Sequence, residues 1–142
     1  MNNEKYMITL DNWYNNYALE IELVDDNSFL LAVETLERIG ILANNKKTLF
    51  QSCHILFKRD KYYIVHFKEL FALDGRFVNL TEDDIKRRNL IASLLEDWGM
   101  IKIVNKDIRK NVLPISAIKI IKHFEKENYD LVAKYQIGNK HK

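Results

Sequence analysis

The sequence predicts an α+β fold in a single domain. Three observations predict it. Short runs with β-strand character alternate with helix-length stretches that carry their own start and stop signals. Turn residues punctuate the chain between these runs. No internal repeat or linker divides the 142 residues, which suffice for one core.

Residues 1–17 differ from the rest. They are rich in asparagine (Asn2, Asn3, Asn12, Asn15, Asn16) and in aromatics (Tyr6, Trp13, Tyr14, Tyr17). They read as an N-terminal extension of uncertain order, packed on the surface or mobile. From Ala18 to Val24, Leu19, Ile21 and Leu23 alternate with Glu20 and Glu22, the period of a half-buried strand. Asp25-Asp26-Asn27-Ser28 supplies N-cap chemistry for a helix from about Phe29 to Ile39, with Gly40 as its stop. Phe29, Val33 and Leu36 share the core face of that helix, and Leu31, Thr35 and Arg38 share another. Residues 43–48 form a polar, basic loop containing Asn44, Asn45, Lys46 and Lys47.

Leu49–Lys58 and Tyr62–Lys68 are β-rich runs around Arg59-Asp60-Lys61, an antiparallel hairpin. Asp74-Gly75 marks a turn. Thr81 caps a helix whose first turn carries Glu82, Asp83 and Asp84, acids that suit the helix dipole. That helix runs to about Trp98, burying Ile91, Leu94, Leu95 and Trp98, and Gly99 closes it. Met100–Val104 reads as a strand, 105–111 as a basic loop, and Ile115–Ile121 and Leu131–Ile137 as further strands.

Several function classes drop out. No apolar run is long enough to span a bilayer. The polar start of the chain has no signal-peptide core. A lone cysteine, Cys53, forbids an intrachain disulfide and a cysteine-rich zinc site. With four glycines in all, there is no glycine-rich phosphate loop. His54 and His66 on facing strands are a weak metal pattern, and strand histidines are the plainer reading. Adjacent strand residues point to opposite faces, so Cys53 and His54 make a poor nucleophile–base pair. No enzyme chemistry, cofactor or small-molecule substrate is expected.

Charge is uneven. Residues 1–37 hold eight acids and one base, Lys5, in a chain of net charge +2, so the remaining residues carry the positive excess. Between 102 and 122, Lys102, Lys106, Arg109, Lys110, Lys119 and Lys122 are opposed only by Asp107. Phosphate neutralisation needs such a cluster. Phe124, Tyr129 and Tyr135 follow it, and single strands are gripped by stacking bases on aromatic planes. The competing reading is a solvated basic surface over core aromatics. The aromatics of Lys61–Phe67 lack the glycines of an RNA-recognition motif and read as strand packing.

Longer words settle on one resemblance. Thr35-Leu36-Glu37-Arg38-Ile39-Gly40-Ile41, Ala43-Asn44-Asn45-Lys46 and Gln51-Ser52-Cys53-His54-Ile55-Leu56 resemble the RegA translational repressors of T4-like phages. So do Tyr62–Glu69, Asp74-Gly75-Arg76, Leu94–Gly99 and Lys134–Asn139. The resemblance runs in order over about residues 18–139, implies that this stretch is the RNA-binding domain, and implies an α+β fold with a helical core and small antiparallel sheets. It implies a sequence-selective repressor that occupies the start-codon region of early phage messages and blocks ribosome loading, in the cytoplasm of the infected host cell. The alternative is a general single-stranded nucleic-acid binder without regulatory selectivity. Single-stranded mRNA is the implied partner, and a homodimer is compatible because family members can form one; no membrane partner is implied. The implied RNA surface is a groove on the first helix bearing Thr35 and Arg38, beside Asn44, Asn45 and Lys46. Lys106, Arg109 and Lys110 resemble a second wall, and Phe124 or its neighbour His123 the late aromatic. Two departures stand out: Leu31 replaces a basic residue of the relatives, and residues 1–17 have no counterpart.

Overall fold

The computed structural model describes residues 5–25, 27, 53–113, 116–121 and, by backbone, 130–131. Among these residues two sheets and three α-helices form the fold. The larger sheet has five strands in the order β5-β2-β4-β3-β7, every neighbour antiparallel. Its members are β2 (Leu19–Leu23), β3 (Cys53–Lys58), β4 (Lys61–His66), β5 (Ile101–Ile103) and β7 (Asp130–Leu131). The smaller sheet pairs β1 (Tyr6–Thr9) in parallel with β6 (Ile118–Ile121). The helices are α1 (Leu10–Asn16), α2 (Phe67–Leu73) and α3 (Glu82–Asp97), and a 3-10 turn spans Lys106–Lys110. The α+β class read from the sequence holds. The expected helix near 29–39, the 43–48 loop and the continuation of β7 toward Ile137 lie outside the described residues.

Period-two alternation sorts the large sheet's side chains onto two faces. On one face Leu19, Ile21, Ile55, Ile64, Ile101 and Ile103 pack under Ile91, Ala92 and Leu95 of α3. On the other, Leu56, Tyr63 and Val65 pack against Trp13 and Tyr14 of α1, Leu70 and Leu73 of α2, and Ile8, Ile118 and Ile120 of the small sheet. The β3–β4 hairpin turns on Arg59 and Asp60, with φ of 59° and 62°. Two left-handed residues are what a two-residue hairpin turn requires. The Arg59 guanidinium bonds Asp11 at 2.7 Å and lies 4.0 Å from the Tyr14 ring centroid, so α1 braces the turn.

From Tyr6 to Asn16 the expected extension is part of the packed fold. Tyr6–Thr9 form β1, Thr9 caps α1 by accepting from Asn12 N, and Trp13 is fully buried. A helix, α2, also stands where the hairpin strand was expected to run on to Lys68. Its cap is His66, whose Nδ1 accepts from Lys68 N at 3.1 Å while Glu69 accepts from His66 N at 2.8 Å. Thr81 and Asp84 form the matching box at the start of α3, and Gly99 (φ 78°) follows its end. Trp98 corrects the expected core of that helix: it is the C-cap residue and remains 42% exposed.

Arg88 lies on the apolar face of α3, one turn from Ile85 and Ile91, and is fully buried. Its Nη1 donates to Glu69 Oε2 at 2.8 Å and to the Tyr17 carbonyl at 3.0 Å. Its Nε and Nη2 both reach Asn89 Oδ1. Glu69, equally buried, also accepts from Trp13 Nε1 at 3.2 Å. A buried ion pair is tolerable when its hydrogen-bonding capacity is filled in this way. Its consequence is to tie α1, α2 and α3 together.

Candidate nucleic-acid interface

Of the residues the sequence singles out, Lys106, Arg109 and Lys110 fall within the described structure, on one 3-10 turn. Thr35, Arg38, Asn44, Asn45, Lys46 and Phe124 lie outside the described residues, as does Leu31. The basic turn is firmly seated. Ile108 enters the core face shared with α3. Asn89 Nδ2 donates to the Arg109 carbonyl at 3.1 Å, and Arg109 Nη1 donates to Ser93 Oγ at 2.6 Å. Both flanks are tied to the N-terminal part of the chain: Asn105 bridges the Ala18 carbonyl and Glu20 N, and Asn111 Nδ2 donates to the Asn16 carbonyl at 2.9 Å.

This anchoring divides the three cations by role. Arg109 spends part of its fork on Ser93 and on the Lys106 carbonyl, so it braces the turn as well as adding charge. Lys106 Nζ stands 3.4 Å from Glu96. The Ile103 N–H, with Lys106 and Arg109 behind it, holds the Glu96 carboxyl below the usual carboxylate range. Lys110 is exposed and makes no ion pair among the described residues. Lys102 is likewise exposed on the edge strand β5. Three of the acids behind the charge asymmetry, Glu20, Glu22 and Asp25, line one groove with Asp60, Lys61 and Tyr62, and Glu22 pairs across the ladder with Lys102.

Residues 18–138 match the family described as bacteriophage translational regulator. The chain belongs to that family. It is 46% identical over 122 residues to the translation repressor protein of Escherichia phage RB69, covering 85% of this chain and 99% of that protein. With the translation repressor proteins of Enterobacteria phages T4 and T2 it shares 48% identity over 127 residues, at the same coverage. The family match begins after β1 and α1, so the strand and helix that seat Trp13 and brace Arg59 stand outside it.

The weak metal pattern dissolves in the register. Cys53 pairs with His66, and His54 with Val65, so the two histidines occupy opposite faces of the hairpin. Among the described residues no three metal-ligating side chains converge, and no helix is long and apolar enough to cross a membrane. His66 is buried. Burial pushes its imidazole down to about 4, against the pull of Asp84, whose Oδ1 is 3.6 Å from Nε2. A neutral ring with Nδ1 bare is the form that can cap α2.

Sequence reasoning missed the Glu69–Arg88 pair, although an arginine in phase with Ile85, Ile91 and Leu95 was a signal for it. It also missed an aromatic and basic surface around Phe77, whose cations come from segments far apart in the chain.

Proposed function

We propose that this protein is a translational repressor that binds single-stranded message around the start codon and excludes the ribosome by occupancy. The observation that carries the reading is the match of residues 18–138 to bacteriophage translational regulators. Repression by occupancy needs affinity and register, and no bond is broken. The basic turn supplies part of both. Lys106 and Lys110 offer salt-sensitive phosphate contacts, and the anchored backbone holds them in a fixed place. Thr35, Arg38, Asn44, Asn45 and Lys46 are the proposed sequence-reading wall, and Phe124 the stacking aromatic. The protein acts in the cytoplasm of the infected host, on its own or as a homodimer.

Competition tests the reading. A start-region RNA and a scrambled RNA of equal length are offered at one salt concentration. A preference of tenfold or more, about 1.4 kcal/mol, is expected for the start-region RNA. Equal binding would make the protein a general single-strand binder, and no binding to either would remove RNA from its function.

A further inference from the structure

The small parallel sheet presents an outer face that the basic turn does not use. Along β1 and β6, Ile8, Ile118 and Ile120 point into the core, while Met7 and Lys119, paired in register, alternate outward. Val78 forms an antiparallel bridge to Ile118 on the far side of β6, which brings Phe77 beside Lys119. The Asp74-Gly75 turn delivers that segment, with Gly75 at φ 86° and Lys119 Cε 3.9 Å from where its Cβ would stand. Phe77 is 38% exposed, and two ammonium groups lie over its ring: Lys5 Nζ at 4.5 Å and Lys119 Nζ at 5.3 Å from the centroid. Next to it, Arg76 lies 5.1 Å from the centroid of Phe71, which is 40% exposed. Two cations therefore lie over the open Phe77 ring, and Arg76 with Phe71 forms a second cation–ring pair that adjoins it in sequence.

Lone exposed apolar residues need no explanation. Two exposed aromatic rings covered by cations from the residue before β1, from β6 and from the segment after α2 are a different matter. An ammonium on an exposed ring is held more weakly than a stacked base. A base can displace it, and the freed lysine then meets the phosphate beside that base. Stacking on rings flanked by backbone-neutralising cations is the general physics of single-strand binding.

We propose that Phe77, Phe71, Lys5, Arg76 and Lys119 form a second contact surface for single-stranded RNA, apart from the basic turn. This rests on the reading that the protein binds RNA at all. Lys5 and Met7 precede the family match at residue 18, so part of this surface is contributed by the segment outside that match. The surface is sequence-tolerant, since stacking and phosphate contact accept any base. It adds affinity and footprint rather than choice of message.

The test uses the full chain and a long oligouridine, with affinity measured across a salt series. The double variant Lys5→Gln/Lys119→Gln should bind at least about fivefold more weakly, and the slope of log K against log salt should flatten by about 1.4, near 0.7 for each lost contact. Phe77→Leu should weaken binding severalfold at every salt with the slope unchanged. Thermal melting should match the parent for each variant, because these side chains stand outside the core. If oligouridine binding is unchanged in all of them while Lys110→Ala weakens it, this surface does not meet RNA and the repressor reading stands. Failure of the parent protein to bind any RNA would remove both. Loss of self-association in Phe77→Leu with RNA affinity intact would make the surface a protein contact and overturn the proposal.

Discussion

Replacing Trp13 probes how far the first residues are part of the domain. Its ring is fully buried, packs edge-on to Tyr14 at 4.8 Å, and donates Nε1–H to Glu69 Oε2 at 3.2 Å. Trp13→Ala empties that site and removes one of the three donors that satisfy a buried carboxylate. Truncating a buried tryptophan costs about 3–5 kcal/mol, and the lost bond to a charged acceptor places this site at the upper end of that range. A domain of this size is stable by about 5–15 kcal/mol, so a large share of it would go. Trp13→Phe separates the causes: most of the volume stays, the N–H goes, and a loss of about 1.5–3 kcal/mol is expected. Urea unfolding followed by far-UV circular dichroism reads both, with midpoints shifting at constant slope. Midpoints within about 0.5 kcal/mol of the parent would refute the placement of α1 in the core. Deleting residues 2–17 removes β1 together with Ile8, Leu10, Trp13 and Tyr14, and should abolish cooperative unfolding, although the family match begins only at residue 18.

Three further outcomes follow from the same geometry. His66 caps α2 through a bare Nδ1 and is pushed down to about 4 by burial, from 6.5 when free. Its stabilising effect is therefore complete above about pH 6.5 and is lost as pH falls toward 4, by up to about 3 kcal/mol; unfolding midpoints measured across that window should flatten in His66→Asn. Trp98→Ala should cost under about 1.5 kcal/mol, since the ring is 42% exposed at a helix C-cap, and a loss near that of Trp13 in the same urea assay would contradict this. Lys110→Ala should leave the melting temperature alone and flatten the RNA salt slope by about 0.7, whereas Arg109→Ala should also lower the melting temperature by freeing Ser93 from its bond.

What was legible in the sequence was local and rule-bound. Thr81 with its three following acids, the stop at Gly99, the alternation of Leu19, Ile21 and Leu23, and the β3–β4 hairpin all appear where their residues place them. What was not legible depended on tertiary partners or on unusual residues in common roles. Histidine is not a usual N-cap, so α2 was hidden behind a strand-like run. Trp98 is in phase with Ile91 and Leu95, but the helix ends there and the chain turns back through Gly99 into a three-residue edge strand. The asparagines of the first segment left its order uncertain, yet Asn16 Nδ2 donates to the Asn12 carbonyl within α1, and the Asn16 carbonyl accepts from Asn111 Nδ2 at the junction with the basic turn. Tyr6–Thr9 is too short to announce itself as a strand and gains its meaning from a partner more than a hundred residues away. Within the candidate site, the sequence grouped Lys106, Arg109 and Lys110 as charge. Their division into a brace (Arg109), a cation paired with Glu96 (Lys106) and one with no ion pair among the described residues (Lys110) required the positions of Ser93, Asn89 and Glu96.

The central claim is that this protein silences messages by sitting on their start regions. The most direct measurement is translation of two reporter messages in one cell-free reaction, identical except that one carries a start region the protein binds and the other its scrambled counterpart, as purified protein is added. Occupancy predicts that output from the first falls while the second is spared, and that added free start-region RNA restores it. Equal loss from both messages, or no loss at protein concentrations that saturate the RNA, would contradict it.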